Sequence, residues 1–351
     1  MNQGLQLLDE LEFVQAELST GAKQATLAPA LPVPISVSGS PHAHVIPSPF
    51  FIRSLNPLDL SAAWRTFCAL LRKHGVPIFS PVPALSKVPA SEVPARWSGR
   101  DFGRPFALDE LTTADLFEVR CHDQSRQRWQ WPSEIQPSEV SSTAEPMSGP
   151  GSDTLASLLS SVRLVAGGDV PIGVCLPLGC HSNDLRRCLS ADLDFISLVS
   201  RRAELSASDL CGLVHCRQLC EELNRPRLPV LVSAPVARLD QAIKLIALGA
   251  TAVSIDTIVK PIIQQALNAT ATPQDTSDLR RKLPSLALAL TEASKPLELP
   301  GLDAALVDAK QSLVQCLRWI GAEDLSHMNR HSLCSTSERA QHITGTPRLS
   351  P

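Results

Sequence analysis

The stretch Pro229–Asp256 (PVLVSAPVARLDQAIKLIALGATAVSID) decides the fold class of this chain. It begins with an apolar run, Pro229–Ser233, and closes with a second one, Thr251–Ile255. Between them, Val236–Leu248 repeats apolar residues at helical spacing and is followed by Gly249, a residue type that commonly ends helices. Two strands joined by a helix predict a parallel βαβ unit.

The same alternation of strands and helices precedes this unit. The further candidate strands are Phe50–Arg53, Val76–Phe79, Asp115–Val119, Pro171–Leu176 and Asp194–Val199, and the candidate helices are Leu60–His74, Thr154–Leu164, Asn183–Leu189 and Ala207–Leu223. Ser80–Pro105 is interpreted as a proline-punctuated loop. The seven candidate strands predict an α/β fold, a (β/α)8 TIM-type barrel.

The regions that flank the barrel differ from it in pattern. Residues 4–19 place leucines on one helical face, and Ala28–Pro49 is rich in proline and serine, which predicts an extended tether. Helices are predicted near Asp278–Ala293 and Asp303–Ile320. We therefore predict an N-terminal helix and Pro-rich extension at 1–45, a barrel at 46–270 and a C-terminal helical region at 271–351. This last region is expected to pack on the barrel, and a separate small helical domain is the alternative.

Composition restricts the class of protein. Of 351 residues, 44% are hydrophobic and 19% are charged, which is typical of a globular protein. The net charge of −3 and the lack of a basic run argue against nucleic acid or an anionic membrane as partner. Ten cysteines without a signal-peptide pattern favour reduced thiols. We expect a cytoplasmic protein whose small-molecule or protein partner and oligomeric state stay open.

Six segments, in order, resemble the FMN-binding domain of glutamate synthase and its stand-alone relatives over roughly residues 45–347. They are Ser54–Ser61 (SLNPLDLS), Asp115–Val119 (DLFEV), Gly168–Cys175 (GDVPIGVC), Asp194–Leu198 (DFISL), Leu248–Ser254 (LGATAVS), and Ile320-Gly-Ala together with His342–Pro347 (HITGTP). The resemblance implies a barrel that binds FMN and passes electrons to an imine of 2-oxoglutarate. An active member would be an oxidoreductase acting on CH–NH2 donors.

The glycine-rich cofactor loops of that family are replaced in this chain. The Gly-Gly-Thr-Gly-Ala loop corresponds to Ser200–Ala207, which contains no glycine, and the Gln-Gly-Ala-Lys-Pro-Gly loop corresponds approximately to Asp123–Trp129. The family's strand-four lysine falls on Cys175. Lys260–Pro273 has none of the cysteines that hold a three-iron cluster in some members.

The phosphate-binding loops are also altered. Ser-Gly-Gly corresponds to Ser233-Ala234-Pro235, and Gly-Thr corresponds to Asp256-Thr257. A buried carboxylate about 4 Å from a phosphate dianion is unfavourable by several kcal/mol even at an effective dielectric constant of about 20. We therefore predict that no phosphate binds at Asp256 and expect no cofactor, in a degenerate, non-catalytic or repurposed barrel. The alternative is an active FMN-dependent oxidoreductase of glutamate or amino-group metabolism, in which Ser233 and Thr257 contact the FMN.

The remaining candidate site residues lie near predicted strand ends. Arg201 and Arg202 follow a strand and are candidates for binding an anionic ligand at the rim, although a solvated loop paired with Glu204 is the favoured interpretation. Arg126, Arg128, Trp129 and Trp131 combine cations and aromatic rings, for which loop anchoring is favoured over stacking on a base. Glu118 and Asp123 lack the spacing of an acid–base pair, so no catalytic residue is assigned.

Two groups of cysteines are candidates for a metal or redox site. Cys211, His215, Cys216 and Cys220 share one predicted helix, and Cys175, Cys180, His181 and Cys188 surround one strand end. A metal or redox role is open for each group. Buried cysteines usually behave as small hydrophobic residues, however, and no C-x-x-C spacing occurs, so no metal site is assigned.

Overall fold

The computed structural model describes residues 3–15, 31–38, 40–41, 43–53, 63–79, 93–101, 111, 113–121, 155–166, 169–270 and 298–349. The strands are β1 (Leu11–Phe13), β2 (Val33–Ser36), β3 (Ala43–Ile46), β4 (Phe50–Phe51), β5 (Ile78–Phe79), β6 (Arg96–Asp101), β7 (Leu116–Arg120), β8 (Ile172–Pro177), β9 (Phe195–Val199), β10 (Val230–Ser233), β11 (Ala252–Ser254) and β12 (Leu333–Ser335). The helices are α1 (Gln3–Asp9), α2 (Trp64–Lys73), α3 (Leu155–Ala166), α4 (Ser182–Leu189), α5 (Ala207–Glu222), α6 (Leu239–Ala247), α7 (Asp256–Thr270), α8 (Pro300–Trp319) and α9 (Glu338–Thr344).

Strands β4 to β11 form one eight-stranded parallel sheet. Each strand pairs with the next in chain order from β5 to β11, and β11 pairs with β4. A bridge between Ile52 and Ile78 joins the two ends of the sheet, so the barrel is nearly closed. Helices α2 to α6 lie between these strands in the sequence. The predicted (β/α)8 TIM-type barrel is confirmed, with N-terminal and C-terminal helices.

Strand alternation divides the apolar residues into two separate clusters. Residues such as Phe117, Val174 and Ile196 belong to the large cluster that includes the buried faces of the helices. Their neighbours along the strands, among them Leu116 and Phe195, belong to a second cluster inside the barrel. Because successive side chains of a strand point to opposite faces, one apolar set covers the outside and the other fills the interior.

A hairpin closes the N-terminal end of the barrel. Strands β2 and β3 are antiparallel, and Val33, Ile35 and Ile46 pack against the interior residues nearest the strand starts. The prediction of an extended tether over Ala28–Pro49 is wrong for this part. The prolines misled it, since Pro34 lies at an exposed position while the apolar residues on either side of it are buried.

The predicted N-terminal helix also ends early. Helix α1 stops at Asp9, and the chain continues as β1, which pairs antiparallel with β12. Leu11 is buried while Glu12 is exposed, and this alternation suits a strand better than a helix. The prediction of one helix over residues 4–19 is therefore wrong for residues 10–15, and residues 16–19 lie outside the described ranges.

Strand β6 lies within the predicted loop Ser80–Pro105 and was missed. Its sequence, RWSGRD, has a single large apolar residue, Trp97, and therefore lacks the apolar run of a buried strand. Gly99 is required by the neighbouring strand, because a Cβ there would lie 2.5 Å from Cγ of Glu118. Small and polar residues such as Gly99 let β6 fit the barrel, and because they break the apolar run they also prevent its recognition from the sequence.

The C-terminal part contributes a long helix to the same core. Leu302, Leu306, Leu313 and Leu317 of α8 are buried in the cluster that covers the barrel strands. The predicted helix Asp278–Ala293 lies outside the described residues, and the domain boundaries stay predictions. Among the described helices, none combines the length and the apolar character needed to cross a bilayer.

The contact between β8 and β9 gives a prediction for stability. A Cβ on Gly173 would lie 2.4 Å from the Phe195 ring. We expect Gly173→Ala to lower the free energy of unfolding by about 1–3 kcal/mol, since the ring has to shift within a packed interior. Urea unfolding measures it, and Gly179→Ala is the control, because its nearest heavy atom is 3.6 Å away. Equal stability of the two variants would contradict this packing.

Candidate functional site

Arg53 lies at the centre of the barrel, two residues after the inward-facing Phe51. Its guanidinium binds the carboxylate of Glu118 through two contacts, Nη2 to Oε1 at 2.5 Å and Nη1 to Oε2 at 3.1 Å. The side chain of Arg53 is 8% exposed and that of Glu118 is fully buried. The pair is therefore a bidentate salt bridge in the barrel interior.

Two further inward side chains, Ser197 and Cys175, also contact Arg53, and together these residues form one inner layer of the barrel. Nη1 of Arg53 donates to Oγ of Ser197 at 3.1 Å, and Nη2 lies 3.3 Å from Sγ of Cys175. Glu118, Cys175 and Ser197 belong to β7, β8 and β9, so one guanidinium joins three consecutive strands to the end of β4. Every donor in these contacts comes from a single residue that the sequence analysis did not select.

Asp256 connects the same residue to the start of α7. Its Oδ1 accepts from the backbone N–H of Arg53 at 2.8 Å, and its Oδ2 accepts from Oγ of Ser254 at 2.7 Å. Asp256 is buried, as the sequence analysis assumed. Both of its oxygens thus bind groups of the protein at the C-terminal end of the barrel.

Aromatic rings surround the guanidinium. The Cζ atom of Arg53 lies 4.7 Å from the Phe79 ring centroid and 4.9 Å from that of Trp97. Arg120, at the end of β7, lies 5.5 Å from Phe79. Such contacts stabilise a cation that has lost its water. The interior is therefore arranged around a buried positive charge.

Burial and charge set the protonation of this layer. Burial opposes the charge of Arg53, but the nearby Glu118 carboxylate outweighs it and raises the pKa of Arg53 above its usual value. Burial and then the charge of Glu118 raise the pKa of Cys175 to about 12. At neutral pH Arg53 is charged and Cys175 is a thiol, the form that is a poor nucleophile.

The proposed cofactor contacts lie at the expected strand ends. Ser233 is the last residue of β10, at an inward register position, and it is buried. Thr257 is exposed in the first turn of α7, and its hydroxyl donates to the backbone O of Val236. The contacts of Ser233 and Thr257 with a cofactor stay predictions.

Arg201 and Arg202 lie in the loop after β9, and both are exposed. Cys180, in the loop after β8, interacts electrostatically with Arg201. The loop therefore presents two cations at the C-terminal end of the barrel, next to the loop after β8. The pairing of these arginines with Glu204 stays a prediction.

The helical cysteines mostly pack as small side chains. Cys216 and Cys220 are buried on α5, and the hydrogen bond between them together with burial raises the pKa of Cys216. Cys211 is exposed, and Nε2 of His215 lies 2.8 Å from Oγ of Ser182. Within the described ranges, no three His, Cys, Asp or Glu residues are placed to hold a metal ion.

The cysteines near β8 are also mainly buried. Cys188 lies within the core, and burial followed by the charges of Cys188 and Asp184 raises the pKa of Cys180 to about 12. His181 precedes α4 and is exposed. Several predicted features lie outside the described residues, namely Ser54–Ser61, Asp123–Trp129 and Trp131.

Comparison with known proteins supports the fold. No family model matches the sequence, and no curated protein matches it. Among solved structures, the Arg-to-Lys mutant of flavocytochrome b2 matches at 13% identity and a TM-score of 0.58, over 100% of this chain and 81% of that one. The flavin-binding domain of baker's yeast flavocytochrome b2 matches at 12% and 0.57, over 100% and 80%.

A third similar structure is a mandelate oxidase mutant with an FMN adduct, at 15% identity and a TM-score of 0.54, over 93% of this chain and 87% of that one. These neighbours are flavin-dependent barrels, and none of them is a glutamate synthase. They overturn the expectation that this chain has no cofactor. That expectation relied on the glycine loops of one family, and barrels outside that family bind FMN as well.

The charge of the C-terminal end suits FMN, whose phosphate is a dianion. Arg120, Arg201 and Arg202 lie at this end, after β7 and β9. The carboxylates of Glu118 and Asp256 accept hydrogen bonds within the protein. The described residues therefore fit an anionic cofactor, with the cations on the β7 and β9 side.

The salt bridge in the barrel interior gives a second prediction. Glu118→Leu leaves the Arg53 cation buried without its partner, so we expect the free energy of unfolding to fall by about 3–5 kcal/mol. The double variant Arg53→Met/Glu118→Leu should recover most of that loss, because it removes both charges. Chemical denaturation measures all three proteins.

The control is a salt bridge on the surface. Arg186 and Glu222 lie 2.7 Å apart, and their side chains are 47% and 55% exposed. Glu222→Leu should change stability by less than about 1 kcal/mol. If Glu118→Leu were no more destabilising than Glu222→Leu, the central salt bridge would not hold the barrel together.

Proposed function

We propose that this protein is an FMN-dependent oxidoreductase that binds its flavin at the C-terminal end of the barrel. The observation that carries the proposal is the cationic C-terminal end of a barrel whose fold is shared with flavin-dependent proteins. Active sites of (β/α)8 barrels lie at this end, in the loops that follow the strands. The opposite end is covered by the β2–β3 hairpin.

A bound flavin would supply two-electron redox chemistry that the side chains themselves lack. Arg53 fixes the ends of β4, β7, β8 and β9 relative to one another, so the loops after them start from defined positions. Phe79 and Trp97 keep water away from the guanidinium. In this proposal Ser233 and Thr257 contact the cofactor from β10 and α7.

The finer proposal is chemistry on an amino group, as in glutamate synthase. It is supported by the six sequence segments, among them DFISL at Asp194–Leu198 and HITGTP at His342–Pro347. One structural neighbour is instead named for a different compound, mandelate oxidase. The two versions of this proposal therefore differ in the compound that reduces the flavin.

A repurposed barrel that binds its ligand without turnover is the second candidate. One observation favours it: the inward thiol of Cys175 stays protonated and the inward Glu118 is engaged by Arg53, so neither is poised for proton transfer. This candidate differs from the first only in the absence of substrate oxidation.

Flavin binding is the first test. We expect the purified protein to show the visible absorption of oxidised flavin, or to acquire it on titration with FMN. FMN at about 100 times its dissociation constant should stabilise the fold by about 2.7 kcal/mol, seen as a higher melting temperature. A colourless protein whose melting temperature is unchanged by saturating FMN would contradict the proposal.

Substrate oxidation is the second test. Loss of the oxidised flavin absorption in an anaerobic mixture with L-glutamate indicates the amino-group version. Loss of that absorption with a 2-hydroxy acid indicates chemistry like that of the structural neighbours. A protein that binds FMN but is reduced by neither class of compound supports the repurposed barrel.

A further inference from the structure

We propose that the phosphate of the flavin binds to Arg201 and Arg202 in the loop after β9, and not to the loops after β10 and β11. This inference rests on the proposed function, since it concerns the same cofactor. In (β/α)8 barrels, the loops after the seventh and eighth strands frequently form the phosphate site. In this chain those strands are β10 and β11.

The loop after β10 uses its own backbone donors. Pro235 has no N–H, and the N–H of Val236 donates to the backbone O of Ala234 at 2.9 Å. The N–H groups of Ala237 and Arg238 both donate to Oε1 of Gln241, at 3.0 and 3.3 Å. Phosphate sites of this type depend on backbone N–H groups that point outward. In this loop, residues 235–238 therefore have no backbone N–H group left to donate to a ligand.

The start of α7 is occupied by a negative charge. The Asp256 carboxylate is held in place by the N–H of Arg53 and by Oγ of Ser254. The hydroxyl of Thr257 donates to the carbonyl of Val236, so it too is engaged. A dianion placed here would face the carboxylate, and the nearby Arg53 cation is already bound by the carboxylate of Glu118. The usual phosphate position is therefore unfavourable.

The loop after β9 is held firmly and carries cations. Its first residue, Ser200, donates its N–H to the carbonyl of Ser233 at 2.8 Å. Near its end, the carbonyl of Leu205 accepts from the N–H of Gly4 in α1 at 2.9 Å, and a Cβ on Gly4 would lie 2.5 Å from that oxygen. Ser206 donates its N–H to Oδ2 of Asp209 at 2.8 Å.

Between these anchors the loop exposes Arg201 and Arg202. Arginine binds phosphate in a bidentate manner through its planar guanidinium, so two adjacent arginines match a phosphate dianion. Among the described residues, the acidic groups of this region include Glu204, which is exposed in the same loop, Asp209, which accepts from Ser206, and Asp184 on α4. Fixed loop ends reduce the entropy lost on binding, which favours this place for a ligand.

The experiment compares FMN with riboflavin, which lacks the phosphate. Binding is measured by quenching of flavin fluorescence for the wild type, for Arg201→Gln/Arg202→Gln and for the control Arg227→Gln. Arg227 is exposed in the loop before β10, at the opposite end of the barrel. The melting temperatures of the three proteins without ligand confirm that each is folded.

We expect the wild type to bind FMN at least about tenfold more tightly than riboflavin, because charge-assisted hydrogen bonds contribute that much. The double variant should bind both flavins with the affinity that the wild type has for riboflavin. Arg227→Gln should keep the preference for FMN. Added salt should weaken FMN binding to the wild type more than riboflavin binding.

The two proposals fail in different ways. If the double variant keeps the full preference for FMN, or if the wild type binds riboflavin as tightly as FMN, the arginine phosphate site is wrong while flavin binding stands. If neither flavin binds to the wild type, the proposed function is wrong and the phosphate site falls with it.

Discussion

A guanidinium and a carboxylate face each other inside the barrel, both almost out of contact with water. Removing two charges from water is unfavourable, and their attraction compensates only when the geometry is good and the remaining donors are satisfied. Arg53 meets this condition through Glu118, Ser197 and Cys175, with Phe79 and Trp97 against its faces. The neighbouring strand adapts to the pair as well, since Gly99 leaves room for the Glu118 side chain.

The sequence predicts the outside of this barrel better than its inside. Strands such as β8 and β9 bury residues on both faces, so they read as apolar runs and were identified. Strand β6 and Arg53 were missed, because their fit depends on partners far along the chain. Arg53 and Glu118 are 65 positions apart, and Arg53 and Asp256 are 203 apart. The sequence did contain a signal for this pair, since Arg53 and Glu118 are single charged residues in otherwise apolar segments.

The cofactor prediction failed for a related reason. It treated the replaced loops, Asp123–Trp129, Ser200–Ala207 and Ser233-Ala234-Pro235, together with Asp256, as evidence that the whole cofactor was absent. Glycine loops are one way to bind a phosphate, and arginine side chains are another. The neighbours share the fold at only 12% to 15% identity, so a motif that is missing from this chain is weak evidence about its ligand.

The two ends of the barrel have separate tasks. Val33, Ile35 and Ile46 of the hairpin cover the N-terminal end with apolar side chains, and the proposed flavin site lies at the other end. Between the ends, the desolvation that makes Arg53 depend on Glu118 also keeps Cys175 protonated. The inner layer therefore has a structural task, because its charges are engaged with each other and its thiol stays protonated. In the proposed function, redox chemistry comes from a flavin bound above this layer, where the loops after the strands can reach it.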